Sequence, residues 1–276
     1  MRVGSWRGPV AAGAAVALGA ILPAAPVGPR GRALLAVGAG IGAVALTRAS
    51  GLDRHALGLD VSRLRAGLRW GTVAAGAIGA GYVVALSVPA LRIHFVDGER
   101  GRREDFYEWI GLHIPIGTVL AEELLFRGAL TALVGPLPQA VAFGLWHVRP
   151  AIVAGDNIAA TVAVTGLSGL AFAWLRRGSG SVLAPALAHL AVNVGGAIAV
   201  RVVAGASEAT GDATGASEAT GRAKRRGMLR GRAKRRGMLR GRAKRRGMLR
   251  PGPRPNRCSR RITLGCHGTA QDRRSR

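Results

Sequence analysis

Seven long runs of this chain are almost free of charge: residues 9–27, 33–47, 71–91, 109–126, 129–147, 157–175 and 182–205. Five of the seven contain no Asp, Glu, Lys or Arg at all. An amphipathic helix on a water-facing surface carries polar groups on one side at every turn, and these runs do not. A hydrocarbon core about 30 Å thick calls for roughly 20 mostly apolar residues per helix, which is what the runs offer. Pro23, Pro115, Pro136, Pro138 and Pro185 lie within or beside them. Membrane helices tolerate such prolines when neighbours satisfy the freed backbone groups. The expectation is an all-α, polytopic transmembrane helix bundle of about seven spans.

Composition supports this reading and excludes an ordinary soluble enzyme. The chain of 276 residues is 49% hydrophobic yet has a formal charge of +26, and the two properties occupy different regions. Residues 201–276 hold 23 Lys and Arg against 4 Asp and Glu, whereas residues 1–200 hold 17 against 10. With 5 Phe, 5 Trp and 2 Tyr, the body must be packed by Ala, Gly, Val and Leu. Small residues suit close helix contacts in lipid. Every basic residue of the body is Arg, and the abundance of Ala, Gly, Arg and Val suggests a high-GC coding sequence.

Arg48, Arg54, Arg63, Arg65 and Arg69 make the 48–70 connection the most basic loop of the body, which the positive-inside tendency places in the cytoplasm. The first run also reads as a cleaved signal segment, with Arg2 and Arg7 before it and Ala24-Ala25 near its end. The next run follows within a few residues, which favours a retained helical hairpin.

Ionisable groups inside a span cost roughly 2.5–3.5 kcal/mol each on insertion scales, so each is a functional candidate. They gather in the last four runs, as Glu122, Glu123 and Arg127, then His147, then His189 and Asn193. Glu123 and Arg127 are four residues apart and can neutralise each other on one helix face. Glu122 sits about 100° away around a 3.6-residue helix and is left over. His189 and Asn193 share a face for the same reason, and His147 closes its run with Phe143 one turn behind. Converged in a bundle, these groups can bind a divalent metal such as zinc, or let Glu122 and His147 deprotonate a water directly. His113 falls on roughly the opposite face from Glu122 and is excluded. His55, His94 and His267 are incidental, Asp156 and Asn157 are expected to cap a helix, and Arg149, Arg176 and Arg177 are expected at the membrane interface.

Glu-Glu-x-x-x-Arg, Phe-x-x-x-His and His-x-x-x-Asn occur in that order within 122–193. The ordered trio resembles the CPBP family of intramembrane proteases, which includes type II CAAX prenyl endopeptidases and bacterial Abi-type bacteriocin-processing or immunity proteins. The resemblance implies an intramembrane metalloendopeptidase, integral to a bacterial cell membrane and acting on a membrane-associated protein or peptide. It implies water activation by Glu122 and His147, with His189 and Asn193 as metal ligands or oxyanion holders and Glu123 and Arg127 in support. Glu122, His147 and His189 would be the ligands of a divalent metal, zinc first; a metal-free glutamate mechanism stays open. A non-catalytic immunity or regulatory protein using the same cluster is the alternative.

The chain thus divides into N-terminal helices and loops (1–108), a protease domain (109–205) and a low-complexity tail (206–276). In the tail, Gly-Arg-Ala-Lys-Arg-Arg-Gly-Met-Leu-Arg occurs three times unchanged, at 221–230, 231–240 and 241–250. Such a unit buries too little apolar surface to offset chain entropy, so disorder is expected. It reads either as a polybasic binder of anionic lipid headgroups or as an unselected expansion of a DNA repeat. Nucleic acid is disfavoured as a partner because no aromatic residue interleaves the tail to stack on bases. Cys258 and Cys266 lack the paired close spacing of a zinc module.

Overall fold

Apolar sequence in lipid has to close its own backbone hydrogen bonds, and the chain does so with helices. The computed structural model describes residues 6–96 and 102–207. These fall within one compact unit, Met1–Asp212. The repeat tail, with its expected disorder, its two cysteines and His267, lies outside the described residues. The helices are α1 (Arg7–Ile21), α2 (Pro29–Ala49), α3 (Leu64–Ser87), α4 (Phe106–Val134), α5 (Pro136–Trp146), α6 (Val148–Ala154), α7 (Ile158–Ser179) and α8 (Leu183–Ser207). No strand occurs among the described residues. The protein is an all-α polytopic bundle, and six of these helical segments are long and apolar enough to cross a membrane.

The expected fifth span, 129–147, does not form as one helix. Instead α4 continues to Val134, and Gly135 turns the chain at φ +82° and ψ 178°, a conformation almost confined to glycine. Pro136 then opens α5, where its missing N–H would have had no helical partner anyway. α5 has 11 residues and α6 has 7, about 16 and 10 Å of helix, each short of the hydrocarbon thickness.

The pair still completes a pass. Gly8 lies against Val134 and Gly19 against Trp146, so α5 runs parallel to α1. Gly144 lies against Val162 and Gly169 against Ala140, so α5 runs antiparallel to α7. Seven legs result, six of them long helices and the fifth a broken one. The 50–60 connection meets the start of α8, where Val182 N–H donates to Gly58 O at 3.0 Å. Arg201, near the end of α8, donates to Arg103 O at 3.3 Å. The described chain therefore ends at the face opposite its most basic loop.

Small residues set the helix spacing. A Cβ on Gly40 of α2 would stand 2.7 Å from Ala121 O of α4, so only glycine lets these two backbones approach so closely. One apolar cluster joins Ala15, Phe126, Leu130, Ala142, Phe143 and Trp146 from α1, α4 and α5. Another joins Phe172, Leu175, Ala184 and Ala188 from α7 and α8, with Trp70 and Ala74 of α3 against it.

Two expectations about polar residues need correction or refinement. Arg176 is not an interfacial anchor: it is buried, and its Nε donates to Arg127 O at 3.2 Å, while Nη2 donates to Ala56 O at 2.5 Å. This side chain ties a loop carbonyl and one from within α4 to α7. Of the two expected caps, Asn157 is the one at the N-cap position of α7, accepting from Ala160 N–H at 2.9 Å. Asp60 plays the same part ahead of α3. The Ser62 backbone N–H it accepts holds its carboxyl below the usual carboxylate range.

Candidate active site

Helix α4 supplies the acidic half of the site. It is π-helical over Trp109–Leu120 and again over Glu123–Leu130. Pro115 inside the first stretch cannot donate to the ladder. Hydrogen bonding from i to i+5 widens the turn, so neighbouring residues are spread less far around the axis than in an α-helix. Glu122 and Glu123 both reach the same partner, His189 of α8. His189 Nδ1 lies 2.9 Å from Glu123 Oε1, and its Nε2 lies 3.8 Å from Glu122 Oε2.

The cluster is dry. Glu122 is 6% exposed, Glu123 1%, Arg127 0% and His189 5%. Arg127 Nη1 stands 3.1 Å from Glu123 Oε1, the pair that the four-residue spacing predicts. The contact is an ion pair whose angle falls outside hydrogen-bond alignment. The guanidinium is held instead between aromatic faces, with its carbon 4.0 Å from the Phe143 centroid and 4.9 Å from that of Phe172. Desolvated cation–π contacts of this kind are worth about 2 kcal/mol. Phe172 also stacks on His189, centroids 5.0 Å apart and planes 29° apart. One ring of α7 therefore seats both the cation and the imidazole.

Helix α5 supplies the other side. Trp146 Nε1–H donates to Glu122 Oε1 at 3.1 Å, and Glu122 Oε2 has no hydrogen-bond partner among the described residues. His147 Nδ1 lies 2.8 Å from Phe143 O. A carbonyl can only accept, so Nδ1 carries the proton and, in the neutral ring, Nε2 is the free acceptor. His147 and His189 both pack edge-on to Phe143, at 4.8 and 6.0 Å between centroids. Asn193, one turn beyond His189, is partly buried. Tyr82 of α3 donates to Val192 O beside it at 2.7 Å.

The structure thus brings Glu122, Glu123, Arg127 and His189 into direct contact, with His147 across the Phe143 ring and Asn193 one turn along α8 from His189. His113 stands apart beside Glu108, at 3.3 Å, as its helix face implied. Among the described residues no group of three His, Cys, Asp or Glu side chains is placed to hold a metal ion. Glu122 and His189 offer one oxygen and one nitrogen donor, and His147 does not join them as a third ligand. Two contributors were not singled out by sequence reasoning: Trp146 and Phe172. Trp146 had a legible signal, since a tryptophan buried next to a candidate base must place its N–H somewhere.

A multi-leg membrane bundle with carboxylates and imidazole buried together in its last four legs defines the class. Residues 106–195 match the family of the type II CAAX prenyl endopeptidase Rce1-like proteins, a segment that contains every residue of the cluster. The match supports the CPBP/CAAX protease family, and at that level a protease integral to a membrane. No curated protein and no solved structure matches the chain.

Proposed function

We propose that the protein is an intramembrane endopeptidase that hydrolyses a peptide bond of a membrane-associated protein or peptide, with Glu122 as general base. The observation that carries this reading is the division of labour at Glu122. One carboxylate oxygen is held by Trp146, and the other is unpaired and faces His189. A buried carboxylate left with one free oxygen is suited to take a proton from water.

Water adds to the scissile carbonyl as Glu122 Oε2 receives its proton, and the same proton passes to the departing amine when the C–N bond breaks. His147, with Nδ1–H committed to Phe143, has Nε2 available as a second acceptor. The Asn193 carboxamide is a donor for the oxygen that becomes negative. Glu123 fixes the tautomer of His189 through Nδ1, so that Nε2 is the atom turned toward Glu122. His189 lies six residues into α8, roughly 9 Å below the helix start, which suits a substrate that is itself held in the membrane.

The donor set argues for direct water activation rather than the three-ligand zinc site that the resemblance implies, so no step is assigned to a metal. Both points are open to one assay, cleavage of a prenylated CAAX peptide by purified full-length protein in detergent. Glu122→Ala and His189→Ala should each reduce cleavage by about 100-fold or more, and unchanged cleavage by either overturns the assignment. Treatment with a chelator should leave wild-type cleavage intact; a loss restored by zinc would return the metal to the site.

A further inference from the structure

We propose that Trp146 is a positioning residue for Glu122, and that helix α1, outside the matched segment, seats it. The inference rests on Glu122 being the base.

An indole has one polar atom, a donor, and when buried it needs an acceptor. Trp146 is 7% exposed and gives its N–H to Glu122 Oε1. The last torsion of a glutamate side chain is broad and roughly two-fold, so a carboxylate without that bond could turn either oxygen toward His189 and tilt between them. With the bond, Oε1 is committed and Oε2 is presented. The indole is fixed in its turn. Phe126 meets it edge-on with centroids 5.5 Å apart. On the other side lies Gly19 of α1, where a Cβ would stand 2.8 Å from Trp146 Cε3 and 2.9 Å from Cδ2. Only a residue without a side chain lets the α1 backbone lie against the ring. The order of contact runs from Gly19 to Trp146 to Glu122, so a helix carrying no candidate catalytic residue sets the angle of the base.

The test uses full-length protein in micelles, labelled with 15N-tryptophan. Loss of one indole signal in Trp146→Phe identifies the Trp146 resonance. That resonance should move upfield in Glu122→Ala and shift in Gly19→Ala. It should stay in place in Gly13→Ala, a position on α1 where a Cβ meets nothing within 4 Å. With the prenylated CAAX peptide, Trp146→Phe keeps an aromatic ring, smaller than the indole, and loses the N–H. It should lower kcat about 10- to 100-fold, the worth of a hydrogen bond to a charged group, with KM unchanged. Gly19→Ala should lower kcat in the same sense. A Trp146 resonance indifferent to Glu122→Ala overturns the proposal, as does full kcat in Trp146→Phe or, should that variant fail to fold, in Gly19→Ala. A wild type that does not cleave the peptide overturns the hydrolase reading and the positioning role together, whereas an active wild type matched by its Trp146→Phe variant overturns the positioning role alone.

Discussion

Helices α3 and α5 invert what length and hydropathy suggest. α3 has 24 residues, of which Gly67 and Gly71 are buried, while Val73, Val83 and Val84 face outward. α5 has 11 residues and buries Gln139, Ala140, Ala142, Phe143, Gly144 and Trp146. The long helix is apolar because lipid is its solvent; the short one buries one face against α1, α4 and α7, with Val141 and Leu145 outward, and that face carries an amide, an indole N–H and, at its end, an imidazole. Hydropathy alone does not mark the site: α8, which carries His189, is more apolar than α3, yet more of it is buried.

Substitutions in the two helices should separate them. Phe143→Ala should have the largest effect, since the ring touches Phe126, His147, His189 and Arg127. A loss of about 3–5 kcal/mol is expected from the cavity and the lost contacts, readable as a fall in denaturation midpoint in mixed micelles. Gly135→Ala comes next. Nothing crowds a Cβ there, so the cost is the backbone alone, about 1–3 kcal/mol for a side chain at that φ and ψ. A neutral Gly135→Ala would show that the break before α5 is not set by its glycine. Val73→Ala on α3 should be the smallest, within about 0.5 kcal/mol, because Val73 is 70% exposed. A Val73 effect as large as that of Phe143 would mean that α3 packs against a partner and not against lipid.

Much of the site was readable in the sequence because its spacing rules are local. Glu123 and Arg127 pair as i and i+4, and the polar residues were confined to the last legs by the cost of burying them elsewhere. What could not be read depended on contacts between helices and on backbone that departs from the regular helix. Glu122 and Glu123 converge on His189 of α8, a contact between helices that no spacing within α4 announces. The fifth leg was seen as a continuous run because Gly135 and Pro136 sit among apolar residues, and only the left-handed φ at Gly135 reveals the break. Arg176 looked interfacial because it stands beside Arg177 at a helix end. Its burial follows from carbonyls of the 50–60 loop and of α4 that the local sequence does not announce.

The most direct test of the buried base is Glu122→Gln, which keeps shape and an oxygen to accept from Trp146 while removing the charge. Reconstituted in vesicles with a prenylated CAAX peptide, this variant should retain the wild-type denaturation midpoint and lose about 100-fold or more of kcat. Cleavage at the wild-type rate by a folded Glu122→Gln protein would contradict a carboxylate at position 122 as the group that activates water.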